Sequence, residues 1–168
     1  MRLSRNPQPF PSTGFSDASC GKDRMRVLVL HGPNLNLLGN REPDIYGSET
    51  LADVNDVIAA AASDLGAAVS CEQHNGEGEL IDALHESRER YDAVIINPGA
   101  YAHYSHAIAD AIAAIGIPVV EVHLSNVAGR EEFRRTSVTA RACRGVVSGF
   151  GAPGYALALH ALKELLEK

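Results

Sequence analysis

What this 168-residue chain is short of narrows its chemistry before any motif is read. No apolar run approaches the ~18 residues that a helix needs to cross a bilayer; the best stretches, 27–30 and 94–96, are strand-sized, so a membrane span is excluded. Cysteine is scarce. Cys20, Cys71 and Cys143 are odd in number and far apart, which suits neither a disulfide framework nor a zinc site and points to a reducing, cytoplasmic compartment. Basic residues number 15 against 21 acidic ones, and a net charge of -6 argues against a nucleic-acid partner, which calls for a basic face. Lysine is the scarcest charge. Only Lys22, Lys163 and Lys168 occur, all near the chain ends, so no internal lysine is placed for Schiff-base chemistry. The other 12 basic residues are arginines, the side chain suited to forked recognition of a carboxylate or phosphate. Glycine-rich phosphate loops of the Walker or dinucleotide type are also missing, which leaves nucleotide binding with little support.

What is present is the make-up of one ordinary domain, with 45% hydrophobic and 21% charged residues, enough for a single core. Residues 1–24 stand apart from it. Pro7, Pro9 and Pro11 lie among Ser, Gly and Asn without a hydrophobic period or the apolar segment of a secretory signal. This stretch reads as a disordered extension, or as an upstream start chosen in place of Met25, and the domain as residues 25–168. The stretch carries +2, which leaves -8 on the domain.

From Met25 onward, short apolar runs alternate with helical patterns. Strands are predicted over 27–30, 69–73, 94–96, 119–122 and 146–150. Thr50 with Asp53 three residues on has the form of a capping box, opening a helix whose Leu51, Val54, Ile58, Ala61 and Leu65 share a face and which stops at Gly66. Further helices are predicted over 79–90 and 105–115, with a short arginine-rich one over 131–135 and a last one after Gly154 that carries Leu159, Leu162 and Leu166. Five strands alternating with helices require parallel pairing through right-handed crossovers, hence an α/β three-layer sandwich with a five-stranded parallel sheet. In the common order 2-1-3-4-5, ligands bind outside the carboxyl ends of strands 1 and 3, with strand 4 next to them.

Those strand ends carry the polar residues. Strand 1 runs into a loop over 31–47 that is longer than strand-to-helix connections usually are, and it holds Asn34, Arg41 and Tyr46. Strand 3 ends at Asn97, followed by Pro98 and Gly99, with His103 and His106 close behind; amides there lead into a helix N-terminus, where anions are stabilised. His103 and His106 lack a convincing third ligand, so a polar contact from His103 reads better than a metal site, and His106 reads as structural. On strand 4, period-two geometry turns Glu121 and His123 to the same face, where a carboxylate can orient an imidazole. Leu124 and Ser125 follow at the strand end, and Arg130 and Arg134 come four apart, on one face of a helical turn.

Taken together these blocks resemble the type II 3-dehydroquinate dehydratases. The resemblance rests on Gly32-Pro-Asn-Leu-Asn-Leu-Leu-Gly39 with Arg41-Glu-Pro and Tyr46-Gly, Asn97-Pro-Gly with His103, and Glu121-Val-His-Leu-Ser-Asn-Val127 followed by Arg-Glu-Glu-Phe-Arg134, in order from Met25 to the C-terminus. It implies a flavodoxin-like fold and the dehydration of 3-dehydroquinate to 3-dehydroshikimate, a shikimate-pathway lyase reaction on the way to aromatic amino acids, with no metal or organic cofactor. Tyr46 is then the base that takes the proton alpha to the ketone, and His123 the acid that protonates the departing hydroxyl, in an anti elimination through an enolate. Arg41 stabilises the transition state, and Arg130 helps to lower the pKa of the tyrosine. Asn34 serves the enolate oxygen, and Glu121 holds His123. Asn97, His103, Leu124, Ser125 and Arg134 bind substrate, and Asp110 reaches a neighbouring subunit's site within a trimer, four of which form a homododecamer. Ala102 and Tyr104 around His103, Ala128-Gly129 before Arg130 and Gln73-His-Asn-Gly76 depart from the family's usual residues without removing any of these groups.

The chemistry is affordable. A tyrosine with its ordinary pKa near 10 must drop about three units, or roughly 4 kcal/mol, to act as phenolate at neutral pH. One guanidinium at about 4 Å in an effective dielectric near 20 supplies on the order of 4 kcal/mol before desolvation. The other reading of the same fold is a noncatalytic flavodoxin-like module that binds flavin or another anion.

Overall fold

The elements run along the chain as β1 (Arg26–His31), α1 (Leu51–Leu65), β2 (Ala68–Gln73), α2 (Glu77–Arg90), β3 (Ala93–Asn97), α3 (His106–Ile115), β4 (Val119–His123), β5 (Gly145–Ser148) and α4 (Pro153–Leu166), with 3₁₀ turns in place of a helix between β4 and β5. The structure, a computed structural model, describes residues 24–39 and 48–168; apart from Arg24, the stretch read as an extension lies outside them. The five strands are all parallel in the order β2-β1-β3-β4-β5, the expected one. Among the described residues no helix is long and apolar enough to cross a membrane.

Alternation along the strands sorts the core into two layers. Val27, Val29, Ala93, Ile95, Val120 and Val122 pack on one face against Val54 and Ile58 of α1 and Tyr155, Leu159 and Leu162 of α4. Leu28, Leu30, Val94, Ile96 and Val119 pack on the other against Leu80 and Leu84 of α2 and Ile108, Ile112 and Ile115 of α3. Each fully buried aliphatic side chain contributes roughly 1.5–3 kcal/mol. A one-residue slip in any central strand would exchange the two sets, so register is strongly specified. Helix ends are fixed locally. Thr50 Oγ1 accepts from the Asp53 amide while Asp53 accepts from the Thr50 amide at 2.8 Å, and Gly66 ends α1 with φ 67°. Ser105 caps α3 by accepting from the Ile108 amide at 3.0 Å.

The departures from expectation have local causes. The fifth strand stops at Ser148 and not at 150, because Gly149 (φ 93°) and Gly151 (φ 60°) turn the chain out of extension and leave Phe150 62% exposed. The arginine-rich helix is a single 3₁₀ turn, Glu132–Arg135. Gly154 lies inside α4 and not ahead of it: Pro153 opens the helix, and a Cβ on Gly154 would sit 3.4 Å from Val147 Cγ1 and 3.6 Å from Val122 Cγ1. Leu166, at the end of α4, is exposed.

One contact joins the two loops that matter most. The Gly32 amide donates to the Asn97 carbonyl at 2.8 Å, and a Cβ on Gly32 would lie 2.7 Å from the Pro98 carbonyl carbon and 2.8 Å from the Asn97 oxygen. Only glycine lets the exits of β1 and β3 approach this closely. Gly32→Ala is therefore expected to lower stability by about 1–3 kcal/mol, read as a lower urea midpoint with an unchanged slope. An unchanged midpoint would refute the close approach.

Candidate active site

The carboxyl ends of β1, β3 and β4 open onto one pocket, at the place the topology predicts. Eight of the residues expected at the site line it: Asn34, Asn97, His103, His123, Leu124, Ser125, Arg130 and Arg134. Glu121 lies beneath His123. Arg41 and Tyr46 lie outside the described residues. Asp110 is exposed on α3 and is not among the residues lining the pocket of its own chain.

Glu121 and His123 point to the same side of β4, as their spacing requires, with the carboxylate wholly buried and the imidazole 6% exposed. His123 donates from Nε2 to Glu121 Oε1 at 2.7 Å, which leaves Nδ1 as the ring nitrogen not engaged by the carboxylate. Two hydroxyls complete the shell: Ser137 donates to Oε1 at 2.7 Å and Thr139 to Oε2 at 2.5 Å. Burial is the largest single influence on Glu121 and pushes its pKa up. The hydrogen bonds from His123, Thr139 and Ser137, with the charge of the facing imidazole, outweigh burial and hold the carboxyl below its ordinary 4.5. A fixed anion under the ring orients the imidazole and sets which of its nitrogens faces the pocket.

The pocket wall is cationic and aromatic. His103 donates from Nδ1 to the Thr136 carbonyl at 2.9 Å, and its ring lies nearly parallel to that of His123, with 6.4 Å between centroids and 14° between planes. Phe133 meets His103 edge-on at 5.7 Å, and the Arg134 guanidinium sits 4.7 Å over the Phe133 ring. Glu131 bridges both pocket arginines, 3.3 Å from Arg130 Nε and 2.9 Å from Arg134 Nε, and Arg130 also donates to Ser125 Oγ at 3.4 Å. The Glu131 carboxyl is held below its usual pKa, first by its own backbone amide and then by these arginines. The two guanidinia on this wall are the groups suited to forked recognition of a small anion.

Asparagine geometry frames the floor. Asn34 sits in the left-handed region (φ 66°), which asparagine tolerates better than most residues, and its amide donates to Asn75 Oδ1 at 3.0 Å. Asn75 accepts from Gln73 Nε2 at 3.1 Å as well, and its carbonyl accepts from Tyr101 Oη at 2.9 Å. The His103 and His106 pair does not converge, since His103 lines the pocket while His106 opens α3, exposed. Sequence reasoning missed Ser137, Thr139, Glu131 and Asn75. Hydroxyls two apart after an arginine cluster are too common to single out, and only the folded position beneath Glu121 gives them a role.

Comparison with known proteins agrees with this architecture. A family model described as "Dehydroquinase class II" matches residues 25–163. The chain is similar to the 3-dehydroquinate dehydratase of Pelotomaculum thermopropionicum, 55% identical over 141 residues that cover 84% of this chain and 98% of the relative. It is 57% identical over 143 residues to that of Caldicellulosiruptor bescii, covering 84% and 99%. Among solved structures, the type II dehydroquinase from Butyrivibrio crossotus superposes with a TM-score of 0.82 at 45% identity, covering 83% of this chain and 98% of that one. The one from Propionibacterium acnes gives 0.78 at 40% identity, covering 86% and 99%.

The Glu121 shell generates a pH-dependent prediction. Because the folded-state pKa of Glu121 lies below its unfolded value, its contribution to stability is fully present above pH about 4.5 and is lost as pH falls through the lower, folded value. Thr139→Val removes one donor, and the destabilisation is expected to be about 1–3 kcal/mol at pH 7. It should shrink as pH falls below that range. Urea unfolding at pH 7 and at successively lower pH measures both, and a pH-independent difference would rule out the carboxylate as the target of the hydroxyl.

Proposed function

The chain belongs to the class II dehydroquinase family, and from that premise we propose that it dehydrates 3-dehydroquinate to 3-dehydroshikimate through an enolate, with Tyr46 as base and His123 as acid. The observation that carries the reading is the buried Glu121–His123 pair facing a cleft with two guanidinia. Tyr46 takes the proton alpha to the ketone, and the electron pair is held as the enolate. Loss of the hydroxyl then restores the ketone in conjugation with the new double bond, as His123 passes the Nδ1 proton to the departing oxygen and water leaves. Glu121 stabilises the ring while it is doubly protonated. Arg41 stabilises the developing charge, Arg130 favours the phenolate, and Asn34 serves the enolate oxygen. Asn97, His103, Leu124, Ser125 and Arg134 hold the substrate's hydroxyls and carboxylate. The steps require no cofactor, and family membership takes the ground from the noncatalytic flavin- or anion-binding reading.

Three further points belong to the same proposal. Residues 25–168 carry the activity, and residues 1–24 are dispensable for it. Work in the cytoplasm is supported by Cys71 and Cys143, both half-buried and free. Assembly is a homododecamer of trimers in which Asp110, exposed on α3, reaches the pocket of a neighbouring subunit.

Adding 3-dehydroquinate to the purified protein should produce the ultraviolet absorbance of the conjugated enone. Tyr46→Phe should reduce kcat by about 10²–10⁴ with the fold intact. Activity retained in that variant would refute Tyr46 as base, and no absorbance change with folded native protein would refute the reaction. Sedimentation should give a dodecamer; a fully active monomer would refute the shared site.

A further inference from the structure

Behind Asn97 a line of polar groups with no part in the reaction runs through the α1/α4 face of the sheet. Asn97 donates from Nδ2 to Tyr155 Oη at 3.3 Å, and Tyr155 Oη lies 3.1 Å from His31 Nδ1. His31 Nε2 is 3.0 Å from Asn55 Oδ1. His31 is 1% exposed and Tyr155 fully buried, with their rings 5.3 Å apart. His31 and Asn97 are register partners on adjacent strands, so the line starts at the pocket floor and ends on α1.

The direction of these bonds follows from one group that cannot be inverted. The backbone amide of Gly99 donates to Asn97 Oδ1 at 3.2 Å, and a backbone N–H can only donate. Oxygen of the Asn97 carboxamide must therefore face Gly99, and nitrogen must face Tyr155. Tyr155 accepts that bond, so its own hydroxyl proton goes to His31 Nδ1. His31 then carries its hydrogen on Nε2 and gives it to Asn55. In the opposite direction, Nδ1–H and Asn97 would both donate to the phenol, and the buried phenol proton would be stranded; inverting Asn97 instead would set its NH2 against the Gly99 amide. Each costs a buried hydrogen bond. Burial acts the same way: it brings the His31 pKa down to about 4 against a partial opposing effect of the Asn55 bond, and drives that of Tyr155 well above its usual value.

We propose that His31 and Tyr155 are positioning residues that lock the Asn97 carboxamide in one of its two flipped orientations, so that one amide hydrogen and one oxygen lone pair remain for the substrate. The inference rests on the reading of Asn97 as a substrate-binding residue. His31 acts as a neutral relay with a defined tautomer and takes no part in proton transfer to substrate.

Two measurements test it. In nitrogen-15 spectra of the full native chain at neutral pH, the His31 ring should be the neutral Nε2–H tautomer; an Nδ1–H tautomer or an imidazolium would overturn the proposal whether or not any variant folds. Kinetically, Tyr155→Phe keeps the ring and removes the relay. KM for 3-dehydroquinate should rise about 3- to 10-fold with kcat within about 2-fold, the size of one lost hydrogen bond. In an Asn97→Ala background the same substitution should add less than about 2-fold. An equal KM effect in both backgrounds would mean that Tyr155 acts by general packing, and an unchanged KM in folded Tyr155→Phe would refute the lock. Unchanged KM in Asn97→Ala alone would refute the binding reading and with it the positioning role, while the tautomer spectrum still reports the bond direction on its own.

Discussion

A carboxylate with no access to water must be met by donors, and Glu121 is the group around which this pocket is arranged. Three side chains from two separate stretches meet it: His123 from the same strand, and Ser137 and Thr139 from the segment that crosses between β4 and β5. The crossover must therefore return beneath the β4 exit, and the stretch of it that holds Arg130 and Arg134 lies at the rim. His103 is held from the same segment through the Thr136 carbonyl. One buried charge thus fixes the placement of an imidazole and the segment that lends the site its cations.

The parallel sheet supplies what a carboxylate alone cannot. The central strands β1, β3 and β4, buried on both faces, give a dry floor, and the common direction of the strands gathers every exit at one end. Gly32 and the Asn97 carbonyl tie the first two exits together, and the left-handed Asn34 turns the chain over the opening. Electrostatics inside such a cleft are stronger than in water, so a few arginines are enough to gather an anionic ligand on a chain whose net charge is -6.

Much of this is legible in residue order. Period-two alternation and helix caps such as Thr50 with Asp53 are local signals, and local signals survive into the fold; crossover rules make the sheet parallel, and its order is the commonest one for five such strands. Glu121 and His123 are readable because two residues on a strand always share a side. Glu131 is not, since its grip on both arginines depends on a 3₁₀ turn where an α-helix is expected. Ser137 and Thr139 are missed for a different reason: contacts between residues 16 and 18 apart have no period to betray them. The end of β5 is misplaced because a valine run looks extended up to the glycines whose positive φ ends it.

The alternation of side chains across the sheet also divides the polar groups at the strand ends between two layers. Asn97 and His31 belong to the side covered by α1 and α4, whereas Glu121 and His123 belong to the side covered by α2 and α3. A volume change in one core layer meets the chemistry of that layer first and reaches the other only through the strand backbone. The Asn97 carboxamide and the Glu121–His123 pair can accordingly drift apart over evolutionary time, or be redesigned separately, by substitutions confined to opposite sides of a single sheet.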